Sequence, residues 1–437
     1  MSSREKTAAG VTAAMDRHNG IIFLVSWVLI YVAAPVVYID VVQAALCTKL
    51  GAGTTMANLP ASAYLFGNFT PFFFSWLVPH RIVRTVVVAA YCTTAALLFA
   101  VMTALVLPVG DSVRIAAVIG QGLVQGLSSS IAFVYMWQCL KRGTTLQGRT
   151  RTLKVTYTVG PIAAVAGSLG AQFILNQGIP ALGYPYDFAF LYLVGAVCIA
   201  LVAVVASRYQ LTPLEEEQLP AFGRYVADGV RSYVGIRTLV VAWLAYLAWY
   251  ISLNGISNMS LYTRTAVGRD PKELSGLILA LRFGFKAASG FLLGDLASRY
   301  GMRAPLVTAA YLLGAASLWA WVAPGYAYLL SFGLMGAGEL GGAYFPNYVV
   351  AFSPAAAGAV NLSLLHLVNP ASAIGPVLHG ALTERFGFHA SFTLGIVAAV
   401  IALLLVRRLP VGQLPASEKE PEAAPAARAG SSPERRS

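Results

Sequence analysis

Long apolar segments recur along the chain from residue 21 to residue 406, with short polar stretches between them. An apolar run of about 20 residues can cross the hydrocarbon core as an α-helix, and only helices and closed barrels satisfy their backbone there. The alternating ten-residue segments typical of a membrane barrel do not occur in the sequence. The pattern predicts an all-α membrane protein with twelve transmembrane helices. The predicted spans are 20–46, 56–79, 84–107, 113–138, 154–176, 187–207, 237–260, 273–295, 304–323, 326–351, 358–381 and 388–407.

Composition supports the membrane assignment. The 437 residues are 57% hydrophobic and only 11% charged, whereas soluble domains carry about 25% charged residues. The net charge of +12 does not indicate a nucleic-acid partner, because the basic residues concentrate at the ends of spans. The four cysteines are scattered without a CxxC pair, so no disulfide framework, metal or cofactor is expected.

The distribution of basic residues predicts the orientation. With the N-terminus inside, 22 of the 30 lysines and arginines fall in cytoplasmic segments. The positive-inside rule therefore places both termini in the cytoplasm. The first polar residues lead directly into a full-length span without a small-residue cleavage pattern, so no removable signal peptide is predicted. We expect a multi-pass, monomeric protein of the plasma (cell inner) membrane.

The chain divides into two six-helix halves around a polar segment. That segment shows apolar positions at the spacing of a short amphipathic surface helix, namely Phe222, Tyr225, Val226, Val230 and Tyr233. The tail is rich in Pro, Ala and Glu and is predicted to be disordered. The predicted units are a cytoplasmic N-terminal segment (1–19), a six-helix bundle (20–207), a cytoplasmic linker with the amphipathic helix (208–236), a second six-helix bundle (237–408) and the tail (409–437).

One loop motif occurs in both halves. The decapeptide Gly294–Arg303 (GDLASRYGMR) follows predicted span 8, and a degraded counterpart 218 residues earlier, Trp76–Thr85, follows span 2 with Arg81 aligned to Arg299. The decapeptide resembles the loop pattern G-x-L-A-D-R-x-G-R-R of the major facilitator superfamily. The resemblance extends over residues 18–408 through span count, central linker and loop position. The matching positions are Gly294, Leu296, Ala297, Arg299, Gly301 and Arg303.

The resemblance implies a secondary transporter of two pseudo-repeated six-helix bundles with a central cavity lined largely by spans 1, 4, 7 and 10. It also implies that the loop helps to hold a cytoplasmic gate shut. Ser298 stands where the family pattern has an acid. Asp295 either substitutes for that acid or simply faces solvent. The implied gate residues are Gly294, Asp295, Arg299, Gly301, Arg303 and Arg81.

Two cations lie in the middle of predicted span 8. Arg282 and Lys286 are four residues apart and share one helix face, and together they oppose insertion by about 5–7 kcal/mol. Glu339 in span 10 and His366 in span 11 lie at similar predicted depth. One carboxylate against two cations leaves about one spare positive charge, which predicts binding of a carboxylate or phosphate. Glu339 and His366 are the predicted proton-coupling groups, with a purely structural Glu339–cation pair as the alternative for Glu339.

Other polar residues on the predicted cavity helices complete the candidate substrate site. Tyr250 and Asn254 share one face of span 7, and a face of tyrosines and asparagines suits binding of an organic molecule. Asp40, near the outer end of span 1, is expected to reach external water in preference to a coupling role. The predicted substrate-binding residues are Arg282, Lys286, Tyr250, Asn254, Gln125 and Asn347.

These observations predict a proton-coupled secondary transporter that moves a small organic anion by alternating access. A multidrug or lipophilic-cation efflux antiporter is the alternative within transport, with Asp40 or Glu339 holding the cation. A non-transporting membrane sensor or a membrane enzyme is the alternative of another class. An enzyme is disfavoured because the sequence has no HExxH motif and no dense His/Asp set, and it also lacks a nucleotide-binding GxxxxGK[ST] loop.

Overall fold

The computed structural model describes residues 10–69, 73, 76–77, 82–213, 221–353 and 358–411, and over these ranges it is helical without β-strands. The helices of the first half are α1 (Ala13–Val32), α2 (Ala34–Val37), α3 (Val41–Lys49), α4 (Thr54–Gly67), α5 (Val83–Val106), α6 (Asp111–Gly143), α7 (Leu146–Leu175) and α8 (Tyr186–Ala206). The connecting helix is α9 (Phe222–Gly235). The helices of the second half are α10 (Arg237–Leu253), α11 (Ile256–Ala266), α12 (Pro271–Tyr300), α13 (Arg303–Val322), α14 (Leu330–Glu339), α15 (Gly341–Phe352), α16 (Gly358–His366), α17 (Val368–Ser372), α18 (Ile374–Phe386) and α19 (Phe388–Arg407).

Eight helices in the described part of the chain are long and apolar enough to cross a membrane, counting α10 with α11 as one rod. They coincide with eight of the twelve predicted spans. The chain is therefore a multi-pass membrane protein. These helices are α5, α6, α7, α8, α10 with α11, α12, α13 and α19.

Three of the remaining predicted spans are broken, and part of the fourth, 56–79, lies outside the described residues. The first span is interrupted after Val32 and again at residues 38–40. Pro35 lies in the first turn of α2, where its missing N–H is tolerated. Asp40 then starts α3, because its Oδ1 accepts a hydrogen bond of 2.5 Å from the Val41 N–H.

Predicted spans 10 and 11 break at prolines and glycines. α14 ends at Glu339 and α15 begins two residues later, with Pro346 inside it. Proline has no N–H for the carbonyl four residues earlier. The Tyr246 hydroxyl lies 3.4 Å from the Gly342 carbonyl that Pro346 leaves open. In the same way, the Asn254 amide donates a 3.0 Å hydrogen bond to the Ser372 carbonyl left open by Pro376.

The two halves meet along long helices. α12 packs on α7 and α18 packs on α4. Gly276 allows the first of these contacts, because a Cβ there would collide with the Ser168 carbonyl and Gln172. The amphipathic helix predicted between the halves is present as α9, and it contacts both of them: Phe222 packs 5.1 Å from the Trp76 ring, and Gly229 lies against Val360 of α16.

Candidate functional site

Four charged side chains meet where the broken helices cross α12, and we call them the core charge cluster: Asp40, Arg282, Lys286 and Glu339. Arg282 Nε donates to Glu339 Oε2 at 2.7 Å, and Lys286 Nζ donates to Glu339 Oε1 at 2.8 Å. A second Arg282 nitrogen pairs with the Asp40 carboxylate. Glu339 thus bridges two cations, and Arg282 bridges two carboxylates, one from each half of the chain.

The cluster is buried unevenly. The Arg282 side chain is 5% exposed, whereas that of Lys286 is 18% exposed. Asp40 and Glu339 lie between these values. The Tyr38 ring covers both cations, with its centroid 5.9 Å from Arg282 Cζ and 6.0 Å from Lys286 Nζ. Lys286 is therefore the cluster's most accessible charge.

The two carboxylates of the cluster lie at helix breaks, but in different positions. Asp40 is the N-cap of α3, whereas Glu339 is the last residue of α14. The N-terminal end of a helix carries unpaired N–H groups and a partial positive charge, which favour an anion. The break before α3 thus gives the Asp40 carboxylate a backbone N–H donor, whereas Glu339 is held by Arg282 and Lys286.

A close helix crossing holds Glu339 against Arg282. A Cβ on Gly336 would collide with the Arg282 backbone, so glycine at this position lets α14 approach α12 directly. Gly333, one turn earlier, lies against the Phe285 ring in the same way. These glycines permit close packing of α14 on α12.

The structure corrects the charge count of the predicted site. The expectation that Asp40 reaches external water is wrong, because its side chain is only 11% exposed and pairs with Arg282. The inferred spare positive charge is therefore wrong as well. With all four groups ionised, two cations face two carboxylates and the cluster is neutral.

In the described part of the chain, the other predicted substrate and proton-coupling residues make no hydrogen bond or ion pair with the cluster. His366, the last residue of α16, is half-buried, and no hydrogen bond or ion pair joins it to the cluster in the ranges that the structure describes. Tyr250 is half-buried with its hydroxyl 3.4 Å from that of Tyr246. Asn347 is exposed on α15, and Asn254 is buried with its amide donating to Ser372.

Gln125 has a different place from the one predicted. Its amide donates to the Val37 carbonyl at 2.8 Å, and its oxygen accepts from Gln121 at 2.9 Å. Gln121 and Gln43 both donate to the Val36 carbonyl at 3.0 Å. These amides satisfy carbonyls at the helix break just before Asp40. Gln125 accordingly supports the chain just before Asp40.

The predicted gate loop forms the end of α12. Asp295 pairs with Arg299 one turn along its own helix, at 2.8 Å, and both side chains are exposed. Gly301 ends the helix at φ +80°, a conformation that favours glycine, while Gly294 lies on α12 near the Tyr344 hydroxyl. Arg303 donates to the Leu409 carbonyl at 3.0 Å. Arg81, the counterpart in the first half, lies outside the described residues.

A second polar region was missed from the sequence, and we call it the distal layer because it lies at the end of α12 opposite to Arg303. It joins the two halves by two ion pairs and by several hydrogen bonds. Lys272 Nζ pairs with the fully buried Asp187 at 2.5 Å, while Lys49 pairs with Asp270 at 2.6 Å near the surface. The hydrogen bonds include those from the Asn58 amide to the Asn258 oxygen at 2.6 Å and from the Thr55 N–H to Glu384 at 2.9 Å.

The surface carboxylates of the distal layer are held ionised. Burial acts to raise the pKa of Asp270, but hydrogen bonds from Lys49 and the Lys272 N–H outweigh it, so this pKa lies below its ordinary value. The hydrogen bond from the Thr55 N–H lowers the pKa of Glu384. The only sequence signals for this layer are an Asp-Pro-Lys run typical of a helix start at residues 270–272 and an acid at residue 187 at the start of an apolar run.

Comparison with known proteins identifies the fold. No family model matches the sequence, and no curated protein sequence matches it. Among solved structures, a mutant form of the nucleoside transporter NupG matches with a TM-score of 0.68 at 11% identity, covering 90% of this chain and 98% of that chain. A D-xylose-proton symporter matches with a TM-score of 0.65 at 13% identity, covering 90% and 98%.

A POT family transporter in complex with 5-aminolevulinic acid matches with a TM-score of 0.63 at 15% identity, covering 90% of this chain and 96% of that chain. Likenesses at these identities are likenesses of fold. The chain has the fold of these solved membrane transporters, which agrees with the fold that the sequence resemblance implies.

Proposed function

We propose that this chain is a secondary transporter that moves a small organic anion together with protons by alternating access. The fold of solved transporters supports transport over a membrane enzyme or sensor. The eight continuous spans and the broken ones support a twelve-span arrangement of two six-helix bundles. The basic residues of the intervening segments support cytoplasmic termini, which makes the distal layer the external side.

The observation that carries the proposal is the charge balance of the core cluster. Two cations facing two carboxylates leave no net charge to hold an anion. Protonation of one carboxylate gives the cluster a charge of +1, and an anionic group then restores neutrality. Because an unpaired charge is costly away from water, proton binding and anion binding favour each other.

Glu339 is the proposed proton acceptor. Its protonation weakens the contacts of both Arg282 and Lys286, whereas Asp40 continues to pair with Arg282. Lys286 is then the more exposed cation and the one released most completely. We assign Lys286 to the anionic group of the substrate and Arg282 to joining the two halves through Asp40. His366 remains a candidate for the proton path and not for direct contact with the cluster.

The distal layer supports alternating access. It joins the halves at one end of the molecule through several separate polar contacts, and these must part if the site is to open to that end. Proton and substrate release the contacts of Glu339 with Arg282 and Lys286 while Arg282 stays paired with Asp40. Occupation of the site therefore changes the contacts of α14 with α12, and with them the balance between the two openings.

The efflux alternative would have Asp40 or Glu339 hold a lipophilic cation. Both carboxylates are already paired with Arg282 or Lys286, and a third cation would give the cluster a net positive charge. The charge balance therefore favours an anionic substrate over a cationic one.

The proposal is tested by uptake into proteoliposomes with an imposed pH gradient. A panel of carboxylates and phosphorylated compounds is compared with neutral and cationic solutes of similar size. We expect accumulation of at least one anion to follow the proton gradient, and to fall at least tenfold in Arg282→Gln. Arg269→Gln, which removes an exposed arginine from a surface pair with Glu273, is the matched control and should be unaffected. Uptake of cations alone, or full activity of Arg282→Gln, would refute the proposal.

A further inference from the structure

An apolar groove lies between the connecting helix α9 and the second half of the chain. Its volume is about 370 Å³, and its lining is almost wholly apolar. The groove is lined by Val230 and Val234 of α9, Val240 and Leu244 of α10, and Leu364 and Leu367 in the α16–α17 segment. Nothing in the core charge cluster or the distal layer uses this groove.

The groove is rigidly built. The Tyr233 hydroxyl donates to the Leu239 carbonyl at 3.2 Å and sets the angle between α9 and α10. The Trp243 indole N–H donates to the Leu364 carbonyl at 3.3 Å and ties α10 to α16. Val230 and Val234 nevertheless remain 41% and 63% exposed. An apolar cleft of this kind, with its walls held by hydrogen bonds, suits a flexible hydrocarbon chain.

Two exposed arginines neighbour the lining residues along the chain. Arg237 begins α10, three positions before the lining residue Val240. Arg231 lies on α9 between the lining residues Val230 and Val234. The groove thus has an apolar interior next to the start of a membrane-spanning helix, and each of the two helices that form it carries an exposed arginine.

We propose that this groove binds an anionic phospholipid. One acyl chain occupies the cleft between α9 and α10, and the headgroup phosphate is held by Arg231 and Arg237. The position of the groove supports a lipid as its ligand, because the membrane-spanning helix α10 begins beside it. The charge supports an anionic headgroup, since guanidinium groups recognise phosphate well and basic residues at the membrane surface attract anionic lipids.

Trp243 provides a natural reporter for the test. It lines the groove, and its contribution to fluorescence is the difference between the wild type and Trp243→Phe. The full-length protein is placed in phosphatidylcholine nanodiscs. One sample contains a small fraction of brominated phosphatidylglycerol and the other the same fraction of brominated phosphatidylcholine. Bromine atoms on the acyl chains quench tryptophan fluorescence at short range. We expect brominated phosphatidylglycerol to quench the Trp243 signal at a concentration about tenfold lower than brominated phosphatidylcholine.

The double variant Arg231→Gln/Arg237→Gln should lose this preference. The matched control is Arg264→Gln/Arg385→Gln, which also removes two exposed arginines, but away from the groove, and should retain the preference. If the first variant does not fold, Val234→Glu compared with Val234→Gln decides the matter, since a carboxylate at the rim should repel the anionic lipid.

Three results would overturn the proposal. Equal quenching by both lipids would mean ordinary bilayer contact, and quenching by neither would mean that something other than lipid covers the groove. Displacement of the brominated lipid by free glycerol phosphate as effectively as by intact phosphatidylglycerol would mean a phosphate site without a role for the groove. None of these results depends on whether the protein transports an anion.

Discussion

The molecule contains two buried sets of charges that join its halves, and they differ in how the charges are shared. In the distal layer, Lys272 and Asp187 form a closed pair: the Asp187 side chain is fully buried and that of Lys272 is 9% exposed. In the core charge cluster, Arg282 and Glu339 each have two partners, and exposure rises to 18% at Lys286. The closed pair and the core charge cluster are each neutral when ionised, yet only the cluster can exchange a partner without leaving a charge unpaired.

This difference distinguishes a contact that only holds helices together from one that changes when a proton or a ligand binds. Removal of either charge from the closed pair leaves the other buried without compensation. In the core cluster, a proton on Glu339 leaves Arg282 still paired with Asp40, and only Lys286 needs a new partner. A shared, partly accessible cluster is therefore suited to binding, and a closed pair is suited to holding two helices together.

The largest expected effect is in the distal layer. Lys272→Met should leave Asp187 as an uncompensated buried charge and lower the free energy of unfolding by about 3–5 kcal/mol. The double variant Lys272→Met/Asp187→Leu should recover most of this loss, because an apolar pair of similar size has no charge to bury. Thermal unfolding in detergent measures both.

A surface pair provides the control for this comparison. Arg269→Gln breaks an exposed pair with Glu273 and should change stability by about 0–1 kcal/mol. If Lys272→Met were as mild as Arg269→Gln, the closed pair would not be the strong contact between the halves that its burial indicates.

The second largest effect is expected in the core charge cluster, where a substitution changes the net charge. Asp40→Asn should retain the start of α3, because asparagine is as good an N-cap as aspartate. It also removes one negative charge, so the cluster carries a permanent charge of +1. We expect the affinity for an anionic ligand at alkaline pH to rise at least tenfold, measured by ligand-induced stabilisation of the purified protein. An unchanged affinity would show that charge balance does not control binding.

The smallest effect concerns the surface of the distal layer. The pKa of Glu384 lies below its ordinary value because the carboxylate accepts the Thr55 N–H. The contact is therefore at full strength above the ordinary pKa of glutamate, and it is lost as the pH falls through the lowered value. After correction for intrinsic rates, hydrogen exchange at the Thr55 amide should accelerate over this acidic range. In the Glu384→Gln variant, the exchange rate of the Thr55 amide should not show this pH dependence.

The sequence predicted the helical membrane fold because apolar span length is a local property, and eight predicted spans appear as continuous helices. It also identified Arg282, Lys286 and Glu339, because a charge in an apolar segment is conspicuous on its own. It could not place Asp40 beside Arg282. The two residues are separated by 242 positions, and their contact depends on a helix break held by Gln125 and its neighbours.

The distal layer was missed for a related reason. Lys272 and Asp187 lie at the ends of predicted spans, where charged residues ordinarily meet water. Only the packing of α12 against the first half buries them together. Asn254 shows the reverse case: it was expected at a binding surface, but its amide satisfies a carbonyl left open by Pro376. Sequence spacing predicts the helix face on which such a residue lies, but it does not predict the group to which its side chain bonds.

The most direct test of the central claim is the number of protons taken up when an anionic ligand binds. The purified protein is mixed with saturating ligand in weakly buffered solution near neutral pH, and the pH change is recorded with an indicator dye. Once a transported anion is identified, the wild type is predicted to take up about one proton for each unit of ligand charge, and Glu339→Gln to bind the ligand without proton uptake. Ligand binding by the wild type without proton uptake would contradict the account.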